Sequence, residues 1–237
     1  MTALADFNSS LSAVKELIRL ESGYADPPDP TDRDAAYGLR GGATVLTLAC
    51  FESFLSSLFE EELDRIVASS VPLRYYKDKL QVEAVYSSLE LALKGDHSTR
   101  GLERIDRLSN VITTARAIAG NSFVPRALAS TQSNPDSATV KRMFKAVGRS
   151  GIFDDSTAFE MRWGVPVAAT YLSDTLDALV GSRNRVAHTA DAAHVSRSDM
   201  ALNVRFIETL ADVLASDLNG HISRLITEAR VACAANP

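Results

Sequence analysis

Three polar side chains lie close together in the stretch SRNRVAHTA: Arg183, Asn184 and His188. Their types define a chemistry. An imidazole titrates near neutrality, where it can take or give a proton. A guanidinium meets the oxygens of a phosphate or carboxylate with two parallel donors and stabilises negative charge that grows there. A neutral amide orients either partner without adding charge. Together the three suit a proton-moving reaction at an anionic, oxygen-rich centre. No metal ligand set accompanies them. The two cysteines, Cys50 and Cys233, stand far apart, outside any CxxC or Cys/His cluster. Neither a metal nor another cofactor is expected.

The element that must position these groups is the helix they end, expected over residues 168–187. Leu172, Leu176, Leu179, Arg183 and Val186 step by four, three, four and three, the stripe that a helix turns toward a core or a partner. Arg183 therefore sits on an apolar seam, where a charge must be paired or must reach into a wet cleft. Asn184 and His188 are four apart and share a face. Arg183 and His188 are five apart, about 140° of rotation on an ideal helix. Three arrangements are compatible with that spacing: the helix ends near Ala187 and frees His188, Arg183 bends round on its long stem, or the two groups act across a subunit seam. A histidine at a helix C-terminus is also favoured by the macrodipole alone. Glu52, in CFESFL, is the other charge on an apolar stripe. Either it pairs with Arg183 and orients it, or it reaches solvent or another arginine.

Along the chain the apolar period is helical almost everywhere. Leu4, Phe7, Leu11, Val14 and Ile18 define a first helix stopped by Gly23, and ADPPDPTD reads as a stiff polar linker over residues 24–33. A long helix follows over 34–68, with Leu48, Phe51, Leu55, Phe59, Leu63 and Ile66 on its stripe and a bend expected at Gly41-Gly42. Pro72 is expected to open a third helix stopped by Gly95, and a fourth spans 99–119. NSFVPRALASTQSNPDS reads as loop. ATVKRMFKAVG reads as a short helix capped by Asp136 or Ser137. Ser196 and Asp199 form a capping-box pair at the start of a last helix, with Val204, Ile207, Ala211, Leu214, Leu218 and Leu225 on one side. No strand pattern longer than a few residues and no internal repeat is present. These features predict an all-α bundle of long antiparallel helices, one domain over residues 1–237 with an additional N-terminal helix at 1–23.

The net charge of −5 argues against a protein that coats nucleic acid non-specifically, though not against a small basic cleft. Arginines greatly outnumber lysines among the 25 basic residues. Arg149 and Arg162 flank the irregular segment that holds Phe153, Phe159 and Trp163; the aromatic residues are expected to close the end of the bundle, and the arginines are candidate substrate contacts. Arg185 either contacts substrate phosphate or faces solvent, and His194 is a further candidate contact. His97 and His221 are expected on the surface. The cysteine usage fits a reducing cytoplasm. Neither a signal-peptide pattern nor an apolar stretch of membrane-spanning length is read from the sequence.

LDALVGSRNRVAHTA resembles the signature of HEPN domains: arginine, a polar residue, three more residues, then histidine. ATVKRMFKAVGRSGIFDD, LTLACFESFLSSLFEEEL and VSRSDMALNVRFIETLADVLASDL resemble segments of the RiboL-PSP subgroup, so the likeness extends over about residues 34–226. The first helix is not placed by it, and Thr189 stands where relatives often have glycine. The resemblance implies a metal-independent endoribonuclease with Arg183, Asn184 and His188 as catalytic residues. It implies RNA as substrate, a 2′,3′-cyclic phosphate and a 5′-hydroxyl as products, and a homodimer with two motifs at one cleft. A toxin or antiviral defence role would add an antitoxin or defence-system partner. The competing expectation is a non-catalytic HEPN module that dimerises or docks onto a partner.

Overall fold

The three- and four-residue apolar steps fold as helices. The computed structural model describes residues 2–94, 104–131 and 134–235, and no strand occurs among them. Helix α1 spans Ala3–Glu21, α2 Arg33–Ala68, α3 Asp78–Lys94, α4 Arg104–Ala119 and α5 Pro125–Ala129. Then follow α6 (Ser137–Ala146), α7 (Thr157–Trp163), α8 (Tyr171–Thr189) and α9 (Arg197–Ala235). The protein is an all-α helical bundle. Gly95 and Thr99, the expected end and start of two helices, and His97 lie outside the described residues.

Two compact units divide the chain. The first comprises residues 1–54, 134–138 and 153–214, and the second residues 55–133, 139–152 and 215–237. In the first unit, α1 buries Phe7, Leu11 and Val14, and the Phe7 ring lies 4.9 Å from that of Phe54 on α2. Phe159, Trp163, Tyr171 and Phe206 form an aromatic cluster, with the Phe159 and Trp163 rings 5.3 Å apart and the Arg205 guanidinium 4.3 Å over the Trp163 ring. The aromatic residues of the irregular segment thus serve the core, and part of that segment is a helix, α7, ended by Gly164 in the left-handed region at φ 93°.

A buried ionic network ties α1 and the Pro-rich segment into this unit. Glu21, the last residue of α1, is fully buried. It accepts hydrogen bonds from Arg40 Nε at 2.8 Å and Arg197 Nε at 2.7 Å. Arg40, itself 4% exposed, also donates to Asp26 Oδ1 at 2.9 Å and to the Val195 carbonyl at 3.2 Å. Burial works against the Arg40 charge, yet the Asp26 and Glu21 carboxylates outweigh it and raise its pKa. The segment expected to be a stiff linker is therefore anchored through Asp26, and through the Tyr24 carbonyl, which accepts from Arg197 Nη2 at 2.9 Å.

In the second unit, Phe59 meets Phe144 edge-on at 5.2 Å, and Leu63, Ile66, Leu80, Leu218 and Ile222 are also buried. Pro72 precedes only a single 3₁₀ turn, Leu73–Tyr75, and α3 begins later than expected, at Asp78. The chain breaks there because its polar backbone groups find other partners: Leu73 N–H donates to the Asn121 carbonyl at 2.8 Å, and Gln81 Nε2 donates to the Tyr76 carbonyl at 2.6 Å. Residues 125–129, read as loop, form α5 with Pro125 in its first turn, where a missing N–H costs nothing.

The stripe expected for α2 is buried throughout, and the helix runs unbroken through Gly41-Gly42. By length and composition α2 is apolar enough to cross a membrane, contrary to the sequence reading, but just over half of its most apolar window, 56%, is buried inside the protein. The Ser196–Asp199 capping box is reciprocal: each backbone N–H donates to the other side chain at 3.1 Å.

Removing one member of a buried ionic network leaves an uncompensated charge, which costs about 3–5 kcal/mol. Arg40→Ala is expected to lower the urea-unfolding free energy by about that amount; a loss below about 1 kcal/mol would mean that the network is solvated.

Candidate active site

Helix α8 carries the polar triad in its last two turns. Leu172, Leu176, Leu179 and Val186 are buried, and Arg183, on the same stripe, is half-buried. The helix does not end at Ala187. It continues to Thr189, so His188 is still helical and is exposed. Arg183 and His188 therefore keep their separation of about 140°.

Arg183 does not bend toward the histidine. Its Nη1 donates to Asn134 Oδ1 at 2.8 Å and to Asn184 Oδ1 at 3.0 Å. Glu52 is half-buried on α2, and the hydrogen bonds of Arg183 go to these two amides rather than to that carboxylate. The arginine has only donors, so both amides must turn their oxygens toward it. Among the described residues, Nε and Nη2 of Arg183 make no hydrogen bond. The guanidinium is thus held on one side and keeps a two-donor fork on the other. With their oxygens turned toward Arg183, the two asparagines keep their NH₂ groups as unused donors among the described residues. The surface that remains is a set of N–H donors, suited to an anion such as phosphate.

Asn184 shares a face with His188 and so stands between the arginine and the histidine. Its oxygen orients Arg183, and no hydrogen bond joins it to His188. The loop after α8 folds back, and His194, exposed, hydrogen-bonds Ser182 Oγ at 3.0 Å. Arg185 is exposed beside the triad. Arg162 is exposed, donates from Nη1 to the Ala158 carbonyl at 3.0 Å and lies 3.5 Å from Asp212. Arg149 belongs to the second unit and grips Asp217, with Nη2 2.9 Å from Oδ1. Of the four residues proposed to contact RNA, Arg185 and His194 lie on or against α8. Arg149 and Arg162 have carboxylate partners of their own. His221, expected on the surface, is half-buried and hydrogen-bonds the Val147 carbonyl at 2.9 Å. Among the described residues, no group of three or more His, Cys, Asp or Glu is placed to hold a metal ion.

Two supporting residues, Asn134 and Asp177, escaped the sequence reading, and a third, Gly41, was read only as a bend. Asn134 sits in a turn that reads only as loop. Asp177, on α8, accepts from Ser137 N–H at 2.8 Å and from Ser137 Oγ at 2.7 Å, so the start of α6 is also held by a residue from another helix. Gly41 permits close packing: a Cβ there would stand 3.0 Å from Val186 Cγ1 and 3.2 Å from Ala192 Cβ, so any side chain at this position would crowd the motif end of α8.

A family model described as RiboL-PSP-HEPN matches residues 8–220. The chain belongs to the RiboL-PSP-HEPN family. The match begins within α1, so the first helix, which the likeness read from sequence did not cover, is largely part of the family pattern. No curated protein and no solved structure matches the chain.

Helix α8 stops at Ala190, a non-glycine residue at φ 55°, ψ 15°, whose N–H still reaches the Val186 carbonyl. The left-handed region costs a Cβ-bearing residue about 1–2 kcal/mol, partly offset by the extra chain entropy that glycine loses on folding. Ala190→Gly is expected to stabilise the protein by about 0.5–1 kcal/mol in urea unfolding; a destabilised variant would show that the methyl group is needed for packing.

Proposed function

We propose that this protein is a metal-independent endoribonuclease acting through Arg183, Asn184 and His188. RNA carries its own nucleophile. His188 takes the proton of the 2′-hydroxyl as that oxygen attacks the adjacent phosphorus. The phosphorane gains negative charge on its non-bridging oxygens, and the Nε–Nη2 fork of Arg183 meets them. The 5′-oxygen leaves with a proton, giving a 2′,3′-cyclic phosphate and a 5′-hydroxyl. The observation that carries this reading is the guanidinium clamped through Nη1 alone, with its fork unspent and an exposed imidazole on the same helix.

The 140° between Arg183 and His188 favours a site completed by a second copy. In a homodimer with the two α8 helices near the two-fold axis, each arginine is served by a histidine across the seam, and the second imidazole protonates the leaving oxygen. Such an enzyme acts as a toxin or defence effector in the cytoplasm, held in check by an antitoxin or another partner protein. A second reading, a non-catalytic docking module, draws on one observation: among the described residues, no hydrogen bond orients the ring of His188.

His188→Ala is expected to slow cleavage of a fluorescent RNA by at least about 10²-fold, the usual contribution of a general base, with an unchanged melting temperature. Cleavage at the wild-type rate would favour the docking reading. Wild-type cleavage is expected to persist in EDTA, because a guanidinium supplies the charge stabilisation that a metal otherwise provides; abolition by EDTA with restoration by Mg²⁺ would overturn the mechanism.

A further inference from the structure

We propose that residues 134–137 form a positioning strap for Arg183, and that Asn134 governs the reactivity of the site through that arginine. The kinetic consequence rests on the ribonuclease reading above; the geometry does not. At one end, Ser137 donates both its N–H and its hydroxyl to Asp177, at 2.8 and 2.7 Å. Asp177 precedes Asn184 by seven residues, so the two share a face of α8 about 10 Å apart. Three residues of chain from Ser137 back to Asn134 span at most about 10 Å. The strap therefore runs against the direction of α8, pinned at Asp177 and reaching the guanidinium at its other end. It is stiff. Pro135 is buried with its φ fixed by the ring, and Asp136 N–H closes a tight turn on the Asn134 carbonyl at 2.9 Å.

One amide oxygen on Nη1 would leave the guanidinium free to turn about its long stem. Two oxygens, one from α8 and one from the strap, occupy both protons of Nη1 and fix the plane of the group. That plane sets where the Nε–Nη2 fork points. The choice of an amide matters as well. A carboxylate in place of Asn134 would hold Nη1 more strongly but would cancel the charge that an anionic substrate needs. Asn134 is thus a positioning residue, neutral by requirement.

The test measures kcat and KM on RNA for Asn134→Ala and Asn134→Asp, each alone and combined with Arg183→Lys, beside thermal melts. Asn134→Ala is expected to lower kcat about ten- to hundredfold, as loss of a hydrogen bond to a charged group does. It should cost nothing further once Arg183→Lys is present, because it acts through that side chain. Asn134→Asp keeps shape and acceptor and should also lose activity with its melting temperature retained; it carries the test if the alanine variant fails to fold. A second readout needs no catalysis: side-chain ¹H–¹⁵N spectra should resolve the Arg183 Nη groups in the wild type and show them merged in Asn134→Ala. Wild-type kcat in Asn134→Ala, with Arg183 still required, would overturn the strap and leave the ribonuclease reading standing. A wild-type protein that cuts no RNA would defeat the ribonuclease reading, and the spectra would then decide the strap: Nη groups unchanged by Asn134→Ala would overturn it.

Discussion

A guanidinium half-buried on an apolar stripe needs oxygens around it, but it keeps its charge available only if none of them belongs to a carboxylate. The two amide oxygens on Arg183 Nη1 meet both demands. Amides desolvate cheaply compared with carboxylates and leave the full positive charge in place. Much of the local structure serves this one contact. Asn184 must follow the arginine directly, on the side of α8 that also carries His188. Residue 134 must arrive from outside the helix, which requires the turn at Pro135 and the hold of Asp177 on Ser137. The capping of α6 and the presentation of Arg183 are thus one construction.

The helix itself is placed by contacts of a different kind. Gly41 lets α2 lie against Val186, two residues after Asn184, and Ala192, just beyond the helix end. The Glu21, Arg40 and Arg197 network then joins α1, α2 and the start of α9 within the same unit. Buried ion pairs of this sort add little net stability over well-packed apolar groups, because desolvation offsets most of their attraction. What they add is register: a buried carboxylate accepts a slid or rotated neighbour far less readily than a leucine does.

Most of the fold was legible because helix periodicity is local. The stripes of α1, α2, α8 and α9 could be read from residues three and four apart, and the Ser196–Asp199 box closed as its spacing demanded. Errors fell where backbone groups are satisfied from a distance. The third helix begins at Asp78 because Asn121 and Gln81 take up the chain around Leu73–Tyr76, and no window around Pro72 contains Asn121. Of the candidate site, only the triad was legible. Arg183, Asn184 and His188 lie within six residues and are distinctive in type. A pairing of Glu52 with Arg183, one of the alternatives for that carboxylate, rested on two misplaced charges seeking each other; the arginine instead holds an uncharged residue, Asn134, 49 positions before it. Asn in a turn before Pro carries no sign of what its side chain will face.

The Glu21 contact also has an order in time. Glu21 leaves the ribosome early, and Arg40 follows soon after. Arg197, which neutralises the other carboxylate oxygen, is made 176 residues later, just after the segment that carries Arg183 and His188. Closing so long a loop is slow as well as late. The contact that ties the first helix to the start of α9 therefore closes only after the polar triad has been synthesised.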